Sequence, residues 1–237
     1  MSIKDLSPNK VIFLSLFGNS LEVSLQHPLC VLKNHLQTHK CKFHYNFRNL
    51  YKGYFFNLYS INYISLIQYF GYNFLYKHTK NDIVSSLGSG FVSGLITSPS
   101  EFYIINKDHK DTLLNCIQKN NLRKIFKYGL YNCIIRESIY TSCLLTLTPF
   151  LEKKCQENGI KHKHIIAPVM GGTIATFLSH PFDTKKTIQQ RSNNNSVQIP
   201  LKDYYKGITL RSFKMITTFF ILNSVNNFFI KNNIINI

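Results

Sequence analysis

Three prolines in this chain sit in similar surroundings: QHPLCVLKNHLQ around Pro28, TSPSEFYIIN around Pro99 and SHPFDTKKTIQQ around Pro181. They recur about 70 and then about 80 residues apart, and recurrence at a near-fixed period is the mark of an internal repeat. Each is followed by a polar, basic stretch that ends in an aromatic or basic residue ahead of a glycine: LYKG at Gly53, FKYG at Gly129 and YYKG at Gly207. After each glycine runs a mostly apolar segment of about 20 residues, long enough to cross a bilayer core. Each unit therefore reads as a long helix interrupted at proline, a short amphipathic connection and a second long helix. Three such hairpins give six helices.

Charge is sorted by the same period. The chain carries 28 Lys and Arg against 11 Asp and Glu, a formal net charge of +17. More than half of the basic residues fall in the three Pro-to-Gly connections, among them Lys33, Arg48, Lys110, Arg123, Lys185 and Arg191. The hairpin topology puts all three connections on one side, which is the asymmetry of a protein whose basic loops stay on the inner face of a membrane. Hydropathy alone does not decide the matter. Mean hydropathy is −0.08, and no stretch of 20 residues is cleanly apolar. A basic, aromatic-rich segment such as KCKFHYNFRNLYKGYFF also suits a soluble nucleic-acid binder. That reading leaves the Pro–Gly repeat unexplained, so no nucleic-acid partner is expected.

Other chemistries find little support. The six cysteines form no CxxC pair and show no regular spacing, so neither a zinc site nor a disulfide framework is indicated. The nine histidines are scattered, with no HExxH motif, Gly-rich phosphate loop or nucleophile–base set. The expectation is a non-enzymatic protein without metal or cofactor. The N-terminal MSIKDLSPNK has none of the composition of a cleaved presequence.

A Pro-x-acid-x-x-base module followed by an aromatic-x-Gly resembles the signature of the mitochondrial carrier family. The third copy matches best, with Pro181, Asp183, Lys186 and, further along, Gln190. The first keeps Pro28, Lys33 and Gln37 but has Cys30 at the acid position, and the second keeps Pro99 and Glu101 but has Ile104 at the base position. The resemblance implies an all-α membrane protein. Six transmembrane helices would form three hairpins related by a pseudo-three-fold axis around a central cavity, with short matrix-side helices. The repeats would span 10–78, 82–155 and 163–232, with helix kinks at Pro28, Pro99 and Pro181. It further implies a monomer in the inner mitochondrial membrane, both termini in the intermembrane space and basic connections in the matrix, where cardiolipin is a candidate lipid partner.

In the family, the acid of each odd helix pairs with the base of the next to close the matrix side. Carried over, Glu101 pairs with Lys186 and Asp183 with Lys33. The third pair becomes Cys30 with Ile104, so both charges of one pair are lost together and no orphan charge is left. The family's solute contacts follow the module glycine by seven or eight residues, which reaches Ser60, then Arg136 with Glu137, then Lys214. Arg211 matches the Arg of the Gly-x-x-Pro-Arg pattern, with Leu210 in place of Pro. An Arg followed by an acid at the second contact resembles carriers of amino acids and related zwitterions, including S-adenosylmethionine. A guanidinium forks onto a carboxylate, and an acid receives an ammonium or sulfonium.

Two departures set the alternatives. The wording PFDT at Pro181 resembles nucleotide carriers. The acids that close the outer side of carriers are replaced by Asn73, Pro149 and Asn226, so the outer end would rest on Asn hydrogen bonds and apolar packing. That leaves a carrier-fold protein with a scaffold or regulatory role as the alternative to a transporter.

Overall fold

In the computed structural model, the described residues are 8–38, 50–51, 54–106, 127–192, 194–196, 198, 200–205 and 207–231. Those residues are helical with short turns and contain no strand. The helices are α1 (Pro8–Thr38), α2 (Tyr54–Thr79), α3 (Asp82–Asn106), α4 (Leu130–Ser142), α5 (Thr148–Glu157), α6 (Lys163–Ser192), the single turn α7 (Leu201–Tyr204) and α8 (Ile208–Lys231). A π-helical turn, Cys143–Leu147, joins α4 to α5 in one rod. At a rise of about 1.5 Å per residue, each of the six rods is longer than the ~30 Å of a bilayer core.

The rods close into a ring. α1 packs on α2, α2 on α3, α3 on α4, the α4–α5 rod on α6, and α6 on α8; α8 returns to α1. The turns at Lys80–Asn81 and 158–162 lie where one expected hairpin ends and the next begins. Pro28, Pro99 and Pro181 all lie inside helices, as does Pro168.

Polarity runs inside out. Phe13, Phe17 and Leu25 of α1 face outward, as do Phe55, Tyr59 and Phe74 of α2, Phe91 of α3, Phe177 and Leu178 of α6, and Phe213 of α8. The buried positions are largely polar: Ser15, Asn19, Glu22 and Gln26 on α1, Gln68 on α2, and Ser85, Ser89, Ser93 and Thr97 on α3. Each helix thus interrupts its apolar residues with a polar one about every turn, which dilutes any windowed hydropathy signal. Among the described residues, only α6 is both long and apolar enough over an 18-residue window to cross a membrane by composition.

Small residues set the closest approach. A side chain at Gly90 would overlap the backbone of Ser138, and a Cβ at Gly94 would lie 2.6 Å from Ile134 Cα. The serines of α3 fold back onto their own helix, as in Ser93 Oγ to Gly90 O at 3.0 Å and Thr97 Oγ1 to Ser93 O at 2.6 Å. These hydroxyls therefore bury little volume and are satisfied within the helix, whereas the Ser98 hydroxyl, also on α3, is buried without a hydrogen-bond partner among the described residues. Gly129 opens α4 in the left-handed region, with φ 74°, and a Cβ there would meet Lys186 O at 3.1 Å. The repeated glycine of the sequence is thus a conformational requirement at the second unit. Gly207, with φ 83°, shares that conformation ahead of α8.

The π-helical turn has a local cause. Pro149 has no N–H for the carbonyl four residues back, and its ring crowds that carbonyl. Thr148 instead sends both its N–H and its Oγ1 (2.8 Å) to Cys143 O. Replacing Gly94 by Leu is expected to wedge α3 away from α4 and to cost about 1–3 kcal/mol of stability. A lowered midpoint of thermal unfolding in detergent, relative to the unsubstituted protein, checks this.

Candidate functional site

Four helices bring ionised side chains to one place in the ring. α3 contributes Glu101, α4 contributes Arg136 and Glu137, α6 contributes Asp183 and Lys186, and α8 contributes Arg211. Arg136 Nη1 lies 2.8 Å from Glu101 Oε1 and 2.9 Å from Asp183 Oδ1, while its Nη2 donates to Glu137 Oε1. Lys186 Nζ donates to Glu101 Oε2 and lies 3.8 Å from Asp183 Oδ1. Arg211 pairs with Asp183 Oδ2 through Nη1 and donates to Ser179 Oγ at 3.0 Å through Nη2. Gln68 Nε2 of α2 donates to Glu137 Oε2 at 3.0 Å, and Cys133 Sγ donates to Glu101 Oε2 at 3.4 Å. Three carboxylates meet three cations, so the cluster is neutral. That balance is what makes such burial tolerable, because an unmatched ion in a low-dielectric interior is strongly destabilising.

The surrounding elements hold these groups in register. Gln190 is fully buried and reaches Ser98 O at 3.4 Å, tying α6 to α3 beside Pro99. Asn132 Nδ2 donates to Gln189 Oε1 at 2.7 Å, Gln189 Nε2 to Asn195 O at 2.9 Å, and Asn195 Oδ1 accepts from Gly129 N at 3.3 Å. This chain of amides fixes the start of α4 against α6. Between them opens a cavity of about 440 Å³, lined in part by Lys127, Tyr131, Phe182, Lys185 and Tyr204.

The residues expected at a solute site and those expected at a gate are not separate. Arg136, Glu137 and Arg211 share ion pairs with Glu101, Asp183 and Lys186. The Glu101–Lys186 contact is present. The Lys33 side chain lies outside the described residues, as do those of Cys30 and Ile104. Asp183 meets Arg136, Arg211 and Lys186. Ser60 is half-buried on α2, and among the described residues no hydrogen bond or ion pair joins it to the cluster. Lys214, half-buried on α8, accepts from Gln26 Nε2 at its backbone oxygen (3.4 Å), and its charge attracts Glu22.

Sequence reasoning missed two groups. The first is the seam where α8 closes the ring on α1. There Thr218 Oγ1 donates to Glu22 Oε1 at 2.7 Å, and Gln26 Nε2 reaches Thr217 Oγ1 at 2.9 Å and Thr218 Oγ1 at 3.1 Å. The signal was there in the polar run Ser15, Asn19, Glu22, Gln26, spaced at helical period through an otherwise apolar segment. The second lies on α5, α6 and α8 beyond the π-helical turn. Glu152 Oε1 lies 2.5 Å from His164 Nδ1 and 3.3 Å from Asn227 Nδ2, and its Oε2 lies 3.5 Å from Asn223 Nδ2. Glu152 stands three residues after Pro149, where the carrier pattern has a base. This end of the ring is therefore held by Glu152 with Asn223 and Asn227. Asn73 Oδ1 has no hydrogen-bond partner among the described residues, and the Asn226 side chain lies outside them. Tyr72, on α2, donates to Asp82 Oδ1 at 2.8 Å. No protein-family model matches the sequence, and no curated protein matches it.

Lys186 is 2% exposed, so its loss strands part of the charge on Glu101. Lys186→Met is expected to cost about 3–5 kcal/mol, and Glu101→Gln added to Lys186→Met is expected to cost less than the sum of the two single changes. A double-mutant cycle by thermal or denaturant unfolding in detergent measures the coupling.

Proposed function

We propose that this chain is a membrane transporter that moves a small metabolite by alternating access, in the manner of the mitochondrial carriers it resembles. The observation that carries the reading is the inverted polarity of the ring. Its outward surface is lined with Phe, Leu, Ile and Tyr, while its interior holds Glu22, Gln68, Glu137, Lys186 and Arg211. A soluble protein gains nothing from exposing Phe55 at 82% and Tyr59 at 71% while burying its charges. In a bilayer the same distribution is favourable, and intramembrane ionisable residues mark solute pathways.

In this reading the six rods are six transmembrane helices in three pseudo-three-fold-related hairpins. Both termini lie on the intermembrane-space side of the inner mitochondrial membrane. The Glu101–Lys186 and Asp183–Arg211 pairs keep the matrix end shut, and solute contacts offset their rupture as the rods rock. Arg136 and Glu137 are the central contacts, with Ser60, Lys214 and Arg211 contributing. An amino acid or amino-acid-like zwitterion such as S-adenosylmethionine suits them, its carboxylate on Arg136 and its cationic group on Glu137. The cavity that exposes Lys127 and Lys185 beside the start of α4 supports an anionic phospholipid such as cardiolipin as a partner on the matrix side.

A non-transporting carrier fold is the second reading, favoured by Asn73, Pro149 and Asn226 at the outer acid positions. A nucleotide as solute rests on PFDT alone. Reconstitution into liposomes with a panel of labelled amino acids, S-adenosylmethionine and nucleotides separates them. The proposal expects saturable uptake of a zwitterion, reduced at least about 100-fold by Arg136→Ala and markedly by Glu137→Gln. Uptake of no solute supports the scaffold reading, and uptake that both substitutions leave intact removes these residues from the site.

A further inference from the structure

The Arg136 guanidinium is shared among three carboxylates on three helices: Glu101 of α3, Glu137 of α4 and Asp183 of α6. Of these, Glu101 and Asp183 are also held by Lys186 and Arg211. Two positions of the repeat, Cys30 and Ile104, lack the charges that would complete a three-pair gate. That third pair would have joined α1 to α3; Arg136 makes a different tie, from the middle of α4 to α3 and α6.

From this convergence we infer that Arg136 is itself the lock of the closed end, so that a solute carboxylate opens the ring by competing with Glu101 and Asp183 for one guanidinium. The inference rests on the reading of Arg136 and Glu137 as solute contacts and deepens it. A guanidinium offers a planar fork of donors that fits one carboxylate in two-point contact. When a solute carboxylate takes that fork, Nη1 leaves Glu101 and Asp183. Each acid then keeps only the cation of its own neighbourhood, Lys186 for Glu101 and Arg211 for Asp183. The ionic tie from α4 to α3 and α6 is gone, and these two remaining pairs are the ones that rupture as the rods rock. Glu137 stays beside Arg136 and takes the solute's cationic group, so charge remains balanced throughout. Recognition and release are one event, and a solute that lacks a carboxylate binds without unlocking. A ligand shifts such an equilibrium only through its differential interaction with the two states, and here the shared guanidinium is that difference.

Cys133 reports on the lock directly. It is fully buried and donates to Glu101 Oε2 at 3.4 Å, so its thiol is reached only when the cluster parts. The experiment is peptide-resolved labelling of Cys133 by a small maleimide, with the full chain in lipid nanodiscs. S-adenosylmethionine and alanine are the probes, each set against its decarboxylated amine. In the unsubstituted protein, Cys133 is expected to label slowly, several-fold faster with either amino acid, and no faster with the amines. The double change Arg136→Gln with Glu137→Gln keeps the cluster neutral; it is expected to label fast without solute and to ignore all probes. Arg136→Lys keeps the charge but not the fork and is expected to fall between.

Cys143 and Cys155, both buried, serve as controls: they stay unlabelled if the double variant is folded. Slow labelling of Cys133 in a folded double variant overturns the inference, as does equal acceleration by amines and amino acids. Labelling needs no transport. Should uptake fail while the double variant unlocks, the lock stands without the transporter; should uptake succeed with Cys133 indifferent, the transporter stands without the lock.

Discussion

Arg136 lies where α3, α4 and α6 converge, and much of the ring's arrangement follows from keeping that guanidinium matched. Three carboxylates and three cations come from four helices to do it, and Gln68 reaches in from a fifth. Five of the six charges pair with a charge on another helix; Glu137 pairs with Arg136 of its own helix and accepts from Gln68 of α2. Any relative shift of α3, α4, α6 or α8 therefore breaks pairs that are shielded from water, where breaking is costly.

Such a polar interior requires the rods to come close without wide side chains between them. Gly90 and Gly94 let α3 lie against the backbone of α4 at Ser138 and Ile134. Ser89, Ser93 and Thr97 of α3 satisfy their hydroxyls on carbonyls of their own helix. The apolar bulk is displaced to the outside, where Phe91 and Phe177 point away from the ring. Close approach, inverted polarity and the matched cluster are thus one design, and the bilayer of the proposed function is a surround that would suit it.

The parts of this that could be read in advance were those with a local cause. Gly129 had to be glycine for its positive φ and its contact with Lys186, and its recurrence with period betrayed it. Glu101 and Lys186 were legible because each follows a proline at a set distance, and their contact is present. What could not be read was the merging of the residues expected at a solute site with those expected at a gate. The number of residues between Asp183 and Arg136 says nothing of the depth at which α4 meets α6. The family pattern pairs Asp183 with Lys33, whose side chain lies outside the described residues, whereas the described cations around Asp183 are Arg136, Arg211 and Lys186. Glu22 and Glu152 belong to no motif. Glu22 was visible only as part of a polar stripe, and nothing in the spacing singled out Glu152.

The central claim is that the apolar outer surface of the ring faces lipid while its charges line the interior. Its most direct test is collision accessibility of nitroxide spin labels placed at Phe91, Phe177 and Phe213 in bilayer-reconstituted protein. All three are half or more exposed on the ring's outer face. The account predicts that oxygen, which concentrates in lipid, relaxes these labels far more than a water-soluble nickel chelate does. Relaxation dominated by the nickel chelate at all three positions would contradict it.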